Sequence, residues 1–331
     1  MTKDVLVTGA TGFIGRRLAE VLVASGQTVR LLVRDKSRLS DALRDSCRII
    51  VGALDNENAL VEATGQVGTV YHCAANVKTW GPWDSYYEAN VLGLENLLQA
   101  IHKGNVTLPR LIHLSTVDVY GYPAEPCDET APLDDGGFYY GKSKILAEEL
   151  IRQDSLRSGL PYTILRPCNV IGPQSPFIER IGRELKAGLM LTVDGGLCNA
   201  GMIDVDNLVR TIIRTAETPL TLNEVYNVRD SYDVSWKQFV GVLREEINGK
   251  GIVINLPFSL ANAIAVALST LYKSFGVRKE PLLHPLIVHI FGRSCGHSAR
   301  KIIDVCGPVT SRSFEESMKQ SCDWLMEQRP K

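Results

Sequence analysis

Tyr140 and Lys144 have the residue types and the spacing of an acid/base pair. Residues four positions apart lie on one face of an α-helix, so the tyrosine hydroxyl and the lysine ammonium can converge. A free tyrosine has a pKa of about 10, and a neighbouring cation lowers that pKa because it stabilises the phenolate. Such a tyrosine could exchange a proton with a substrate oxygen. Tyr139 lies off this face and is the weaker candidate.

Two hydroxyls, Ser115 and Thr116, follow the apolar segment 111–114, which is typical of a buried strand. Ligands of open α/β sheets bind at the carboxyl ends of the strands. Either hydroxyl could therefore hydrogen-bond a carbonyl oxygen beside Tyr140. The alternative is that both residues only begin the turn that follows.

Three glycines spaced three apart, Gly9, Gly12 and Gly15, join an apolar strand to an amphipathic helix. Glycine allows a tight turn and a close approach of ligand and helix. The free N–H groups at the start of the helix, together with its dipole, favour an anion. This arrangement predicts a pyrophosphate cradle for a dinucleotide, and the alternative is an ordinary glycine-rich turn.

The elements that must position these residues alternate between strand and helix. Helical segments are clearest at 16–24, 86–101 and 140–157. Short, continuous apolar runs predict buried parallel strands at 5–7, 29–33, 49–51, 70–72, 111–114 and 163–165. The pattern predicts an α/β fold with a Rossmann-type, doubly wound parallel sheet.

After Arg166 the alternation loosens, with a helix expected at about 178–187 and a return to the sheet at 202–215 and 225–228. Capping boxes at Ser235/Gln238 and Ser313/Glu316 predict two further helices. We expect a dinucleotide-binding domain of residues 1–166 plus about 202–230. A smaller, interleaved C-terminal substrate domain would take about 167–201 plus 231–331.

The composition is that of an ordinary soluble protein. The 331 residues are 45% hydrophobic and 22% charged, with a net charge of −1. This balance gives no electrostatic reason to expect nucleic acid or an anionic membrane as partner. We expect no signal peptide, and eight cysteines without metal-ligand spacing indicate free thiols in a reducing cytoplasm.

Segments 258–272 and 282–291 are mostly apolar. Fifteen residues are too few to span a bilayer, which needs about 20. The sequence favours a buried helix at 258–272, and the alternative is an interfacial patch that admits an apolar substrate through peripheral membrane contact.

With these features in this order, the chain resembles the extended short-chain dehydrogenase/reductases. That superfamily includes sugar-nucleotide epimerases and 3β-hydroxysteroid dehydrogenase-like enzymes. The resemblance covers nearly the whole chain and rests on segments 8–15, 72–75, 90–93, 115–121, 140–144, 166–173 and 203–208.

The resemblance implies roles for individual residues. Tyr140 would be the acid/base, and Lys144 its electrostatic partner and a ribose ligand. Thr116, four residues before Tyr120, would be the catalytic hydroxyl in preference to Ser115. Further cofactor contacts implied by the resemblance are Gly9, Thr11, Gly12, Phe13, Ile14, Gly15, Leu54, Ala74, Ala75, Pro167 and Val170. Asn90 matches an asparagine that is chiefly structural.

Two positions bear on the cofactor. Val33 stands where NAD-binding members place an acidic residue, and Arg34 follows it, which suits a 2′-phosphate. We therefore expect NADP(H), with NAD(H) as the alternative because Asp35 is adjacent. Ala53 replaces the family's usual aspartate near the adenine, so we expect weaker adenine selectivity.

The resemblance and the apolar C-terminal segments together favour hydride transfer between the nicotinamide and a secondary alcohol or ketone of a bulky, largely apolar molecule. Between 252 and 289 the only basic residues are Lys273, Arg278 and Lys279, few for holding a sugar-nucleotide diphosphate. The alternatives are a sugar-nucleotide epimerase with retained NAD and a non-catalytic NADP-sensing protein. Family members commonly dimerise through helices that correspond to about 90–102 and 140–157, and we expect a homodimer.

Overall fold

A parallel β-sheet frames the first two thirds of the chain. The structure is a computed structural model that describes residues 4–277, 279–308 and 310–328. Its strands are β1 Val5–Thr8, β2 Val29–Val33, β3 Arg48–Val51, β4 Thr69–His72, β5 Arg110–Leu114, β6 Tyr162–Pro167, β7 Asn169–Ile171, β8 Leu189–Val193, β9 Met202–Asp204, β10 Glu224–Val228 and β11 Ile252–Leu256.

The main sheet has seven strands in the order β10-β6-β5-β4-β1-β2-β3, and every neighbouring pair is parallel. The strand order reverses between β1 and β4, so the carboxyl ends of these two strands flank a crevice at the edge of the sheet. The predicted doubly wound α/β fold is confirmed. The predicted return of segment 225–228 to the sheet is also confirmed, because β10 pairs with β6. The predicted return of segment 202–215 is wrong, because its strand β9 pairs with β7 outside the main sheet.

Helices cover both faces of this sheet and build the remaining part of the chain. Their bounds are α1 Phe13–Ala24, α2 Asp41–Ser46, α3 Glu57–Thr64, α4 Trp83–Tyr86, α5 Gly93–Gly104, α6 Tyr139–Ser158, α7 Pro176–Ala187, α8 Val205–Glu217, α9 Trp236–Glu246, α10 Phe258–Ser274, α11 Pro285–Gly292, α12 Arg300–Cys306 and α13 Phe314–Glu327. The single helix predicted at 86–101 is instead α4 and α5 joined by a π-helical segment, Tyr87–Leu92.

A second apolar core lies in the C-terminal part of the chain. It is centred on the fully buried Trp236 and Phe239 of α9, with contributions from α7, α11 and α13. Strands β8 and β11 form one small parallel pair, and β7 and β9 form another. Both predicted capping boxes, at Ser235/Gln238 and Ser313/Glu316, are present. The division into two interleaved domains stays our proposal.

The apolar residues of α5 pack within the chain. Leu94, Leu97, Leu98 and Ile101 are all buried in the core beneath the sheet. The sequence allows these residues either to form core contacts or to join a dimer interface, and the structure places them in the core. A dimer through this region would have to rely on the partly exposed residues of α6.

Helix α10 departs from the expectation of a buried helix. Its buried residues are the small ones, Ala261, Ala265 and Ser269. Its large apolar side chains Leu260, Ile264, Val266 and Leu271 are exposed. Within the part of the chain that the structure describes, no helix is long and apolar enough to cross a membrane.

A buried carboxylate, that of Glu148, ties α6 to the sheet. Ser115 donates a hydrogen bond of 2.6 Å to Glu148 from the end of β5, and Arg166 of β6 donates two, of 2.8 and 2.6 Å. Arg152 adds a fourth at 2.7 Å. Glu148 is 0% exposed and Arg166 is 2% exposed, so this ion pair is screened little by solvent. Together the two guanidinium groups lower the pKa of Glu148 against the opposing effect of burial.

We predict that Glu148→Ala lowers the free energy of unfolding by about 3–5 kcal/mol, because it leaves the buried Arg166 guanidinium without its partner. The measurement is urea unfolding followed by circular dichroism. Glu149→Ala, at the next and exposed position, is the matched control and should change the free energy by less than about 0.5 kcal/mol. Equal effects of the two substitutions would contradict the prediction.

Candidate active site

The glycine loop between β1 and α1 has the shape that a pyrophosphate requires. Gly9 has φ +75°, and a Cβ there would lie 2.7 Å from the backbone nitrogen of Ala74. A Cβ on Gly15 would lie 2.4 Å from the carbonyl oxygen of Gly9, so only glycine lets α1 approach the loop this closely.

The N-terminus of α1 faces the same loop and has no side-chain cap. Gly12 is its N-cap residue, and no acidic residue lies in the first turn. The first N–H groups of the helix, with the positive end of the helix dipole, therefore favour an anion. Thr11, Phe13 and Ile14 flank this turn, and the last two also line the large cavity beside it. The residues present fit a dinucleotide pyrophosphate.

Tyr140, Lys144 and Thr116 meet at the carboxyl edge of the sheet. All three line one cavity, together with Ala75, Pro167 and Val170 from the predicted cofactor set. Tyr140 and Lys144 lie in the first turns of α6, which begins at Tyr139. That helix end packs tightly on the turn after β5, because a Cβ on Gly141 would be 2.8 Å from the Asp118 carbonyl oxygen.

The two strand-end hydroxyls separate into different roles. Ser115 donates its hydroxyl to Glu148 and is thereby part of the scaffold. The Thr116 hydroxyl accepts a 3.2 Å hydrogen bond from the Asp118 N–H and lies beside Tyr140, whose pKa it lowers through hydrogen bonding. This geometry supports Thr116 as the hydroxyl next to the reacting carbonyl. Tyr139 packs instead against Trp83 and Tyr86, with ring centroids 5.8 and 6.4 Å away.

The electrostatics of Tyr140 differ from the sequence prediction. Burial raises its pKa above the usual range, and the Asp118 carboxylate raises that pKa further. The Lys144 ammonium donates a 2.7 Å hydrogen bond to the Leu114 carbonyl oxygen, and burial lowers the pKa of Lys144 to about 8. Burial and Asp118 both favour the protonated form of Tyr140, and Lys144 does not lower the pKa of Tyr140 as the sequence predicts.

The sequence did not predict the influence of Asp118, a titratable residue, on the site. It lines the cavity two residues after Thr116, and burial raises its pKa to about 6. Its position in the turn after β5 was visible in the sequence, but its electrostatic effect on Tyr140 depends on the close approach of α6 that the fold provides.

The cavity has a volume of about 690 Å³ and extends from the cofactor loop to the C-terminal helices. Its far end is lined by apolar side chains of α7, β8 and α11, including Phe177, Met190, Leu286 and Ile290. Six charged side chains also line it, three of each sign: Lys78, Asp118, Lys144, Arg180, Glu184 and Glu280. The lining is therefore mainly apolar, with no excess of positive charge.

Glu280 is the centre of a hydrogen-bonded cluster at the cavity, and the sequence did not predict it as a site residue. It accepts hydrogen bonds from Thr79 (2.7 Å), Arg180 (2.7 Å) and His284 (2.8 Å). Arg180 also contacts Glu184 at 3.3 Å. The guanidinium of Arg180 is therefore compensated by two carboxylates before any substrate enters. No local sequence signal marks this cluster, since its members lie up to 201 positions apart.

The residues proposed for the adenosine end lie at the carboxyl ends of β2 and β3. Arg34 follows β2 directly and is exposed. Asp35, the reason to keep NAD(H) as the alternative, accepts hydrogen bonds from the Ser37 N–H (2.9 Å) and hydroxyl (2.7 Å). Its carboxylate thus caps the following turn. Leu54 is half-buried, and its carbonyl accepts a 2.9 Å hydrogen bond from Asn96.

Asn90 holds the segment after β4. It accepts a 2.6 Å hydrogen bond from the Asn76 N–H and donates bonds of 3.0 Å to the Asn76 carbonyl and 2.9 Å to Ser143. Asn90 is buried. These contacts fix the loop that follows Ala74 and Ala75 against α6, which is the structural role that the resemblance implies.

The family of the chain follows from comparison with known proteins. Residues 5–228 match the sequence model of the NAD dependent epimerase/dehydratase family. The chain belongs to this family, a branch of the extended short-chain dehydrogenase/reductases. The family resemblance inferred from the sequence is thus confirmed, and the protein is an NAD(P)-dependent enzyme of the oxidoreductase/epimerase kind.

Individual relatives act on different substrates. A 4-hydroxy-2-methyl-3-oxo-4-farnesyl-3,4-dihydroquinoline-1-oxide ketoreductase of Stigmatella aurantiaca is 28% identical over 95% of each chain. An N-acetyl-alpha-D-glucosaminyl-diphospho-ditrans,octacis-undecaprenol 4-epimerase of Escherichia coli O157:H7 is 30% identical over 78% of this chain and 77% of its own. The solved structure of MoeE5 in complex with UDP-glucose and NAD superposes with a TM-score of 0.78 at 25% identity, covering 98% and 99% of the two chains.

We predict that Asp118→Asn lowers the pKa of Tyr140, because it removes a negative charge that disfavours the phenolate. Tyr140 would then lose its proton at lower pH, so the basic limb of the pH profile of reduction should move to lower pH. The measurement is kcat/KM for ketone reduction as a function of pH. Asp84→Asn, at an exposed position, is the control and should leave the limb in place. An unshifted limb in Asp118→Asn would contradict the assignment.

Proposed function

We propose that this protein is an NADP(H)-dependent ketoreductase that transfers a hydride between the nicotinamide and a secondary alcohol or ketone of a bulky, largely apolar molecule. The substrate would be steroid-, isoprenoid- or acyl-like, as in 3β-hydroxysteroid dehydrogenase-like enzymes. The observation that carries the proposal is the apolar far end of the cavity beside Tyr140 and Thr116.

The charges of the cavity support a substrate without a diphosphate. Of the three cations that line it, Lys144 lies beside Tyr140, and Arg180 is compensated by Glu184 and Glu280. Lys78, which is exposed, is the remaining cation of the lining. A diphosphate is bound best by several cations that can pair with it, and one lysine is few for that purpose. The ketoreductase among the relatives, whose substrate carries a farnesyl chain, supports the same assignment.

In the proposed reduction, the bound nicotinamide supplies the hydride. Tyr140 donates its proton to the carbonyl oxygen as the alcohol forms, and the Thr116 hydroxyl donates a hydrogen bond that orients this oxygen. The ammonium of Lys144, anchored on the Leu114 carbonyl, would contact the ribose and stabilise the tyrosinate left after proton transfer. In the oxidation direction each step reverses.

The cofactor-holding residues follow the same proposal. Gly9, Thr11, Gly12, Phe13, Ile14 and Gly15 would hold the pyrophosphate, and Ala74, Ala75, Pro167 and Val170 would border the ribose and nicotinamide. Arg34 would bind the 2′-phosphate of NADP(H). Because Asp35 is hydrogen-bonded to Ser37, its carboxylate is less available to a ribose 2′-hydroxyl, which favours NADP(H) over NAD(H).

Two other functions use the same fold. A sugar-nucleotide epimerase with retained NAD is supported by the undecaprenol-linked relative and by MoeE5. A non-catalytic NADP sensor would have no need of the geometry at Tyr140, Lys144 and Thr116.

We further propose that the protein is a homodimer and that it lies in the cytoplasm. The cytoplasmic location is supported by eight free thiols, all within the described residues.

We predict that the enzyme oxidises NADPH with a ketone that carries a long aliphatic tail, and that Tyr140→Phe lowers kcat by about a hundredfold or more without weakening NADPH binding. Nicotinamide absorbance follows turnover, and protein fluorescence follows binding. Tyr139→Phe, one position away, is the matched control and should keep its activity.

Conversion of UDP-glucose to its epimer without net change in nicotinamide absorbance would instead establish the epimerase. An absence of both reactions over a range of ketones and secondary alcohols would favour the sensor over both enzymes. Undiminished turnover in Tyr140→Phe would remove Tyr140 from the mechanism.

We predict that Arg34→Ala raises the Kd of NADP+ by about 10- to 100-fold, because it removes charge-assisted hydrogen bonds to the 2′-phosphate. Binding of NAD+, which lacks this phosphate, should change little. The measurement is titration calorimetry with both nucleotides. Arg157→Ala, at an exposed position near the end of α6, serves as control. A wild type that prefers NAD+, or an equal effect on both nucleotides, would overturn the assignment of Arg34.

A further inference from the structure

Helix α10 shows the reverse of the usual arrangement of side chains on a surface helix. No residue from Phe258 to Tyr272 is charged. The fully buried side chains are small, at Ala261, Ala265 and Ser269, and Phe258 and Leu268 are only partly buried, whereas most other large apolar side chains of the helix are exposed. An ordinary surface helix places its large apolar residues against the core and charged residues outside. The outward face of α10 therefore needs an apolar environment that the described part of the chain does not supply.

The exposed apolar surface continues beyond the helix. Phe275 is 75% exposed and Ile252 is 67% exposed. We call this surface the α10 face, and its exposed apolar members are Ile252, Ile254, Leu260, Ile264, Val266, Leu271, Phe275, Val277 and Leu282. A concentration of exposed apolar side chains on consecutive segments of the chain is typical of an interaction site.

The α10 face is continuous with the mouth of the cavity. Leu282 is 50% exposed and also lines the cavity, so it belongs to both surfaces. Helix α10 packs on α11, whose residues Leu286, Ile287 and Ile290 line the cavity. An apolar molecule could pass from the α10 face into the cavity along apolar side chains.

The segment that contains α10 has more basic than acidic residues. From Lys250 to Arg293 the sequence contains five basic residues and a single acidic one, Glu280. Glu280 is already engaged by Arg180 and His284. Lys273 and Lys279 are exposed next to the C-terminal end of α10. The net charge of the whole chain, −1, hides this local excess of positive charge.

We propose that the α10 face docks on the surface of an anionic phospholipid bilayer, with its apolar side chains in the interfacial layer and Lys273 and Lys279 against the headgroups. Interfacial binding increases with buried apolar area and with attraction to anionic lipids, and this face supplies both. A second copy of the chain would bring the like charges of Lys273 and Lys279 together, which disfavours a symmetric dimer through this face.

Docking in this orientation places the mouth of the cavity at the membrane. A substrate that partitions into lipid could then enter the cavity without crossing water. This consequence for substrate delivery rests on the proposed function, whereas docking itself does not.

The test is co-sedimentation of the full chain with vesicles of phosphatidylcholine alone or mixed with phosphatidylglycerol, without substrate or cofactor. The wild type should bind the mixed vesicles, and binding should fall as salt increases. Ile264→Gln/Leu271→Gln should weaken binding to mixed vesicles by about tenfold or more. Lys273→Gln/Lys279→Gln should weaken it by about 25-fold, since each lysine near an anionic surface contributes about fivefold.

Leu156→Gln/Leu220→Gln, at positions 87% and 76% exposed outside the α10 face, is the matched control and should bind like the wild type. Because all six substituted positions are exposed, the variants should keep the wild-type circular dichroism spectrum. Wild type that fails to bind mixed vesicles would overturn the proposal, as would equal losses in the control. A lipid-free dimer that Ile264→Gln/Leu271→Gln converts to monomer would assign the face to a second copy instead. None of these readouts depends on turnover, so failure of the ketoreductase proposal would not affect them.

Discussion

The charge of Glu148, buried beneath the active site, determines how helix α6 sits on the sheet. Lys144 lies one helical turn before Glu148, and Ser115, which Glu148 binds, precedes Thr116 directly. A single carboxylate therefore sets the distance between the helix that carries Tyr140 and the strand that carries Thr116. Arg166 extends the network to Tyr120 and on to Asn227 of β10, with hydrogen bonds of 2.7 and 2.8 Å. The last strand of the sheet is thus linked to the catalytic edge.

The cavity at this edge combines a polar end, at the glycine loop, with an apolar far end. Backbone N–H groups and glycines form the first, where large side chains would collide with the chain itself. At the second, charged side chains are compensated before a ligand arrives, as Arg180 is by Glu184 and Glu280. Pre-formed pairs of this kind make a cavity effectively neutral although it contains charges, and they allow apolar molecules to bind without desolvating a free ion.

Much of this could be predicted from local sequence. The alternation of strands and helices, the glycine loop, the two capping boxes and the Tyr140/Lys144 pair each depend on residues that are close in the chain. Two features of the site could not be predicted in this way. The Glu280 cluster joins segments that are distant in the chain, and the raised pKa of Tyr140 arises from burial and from Asp118. The composition of α10 was apparent, but its orientation was not.

The orientation of α10 has a consequence for how this part of the chain tolerates change. In most helices the largest side chains are the ones that cannot be replaced, because they fill the core. Here the fully buried positions are Ala261, Ala265 and Ser269, where a larger side chain would have to displace its neighbours. Ile264 and Leu271 are exposed, so substitutions there should disturb packing less. Related chains could therefore differ in the exposed side chains of this helix, and hence in the environment that the helix contacts, while they keep the same fold.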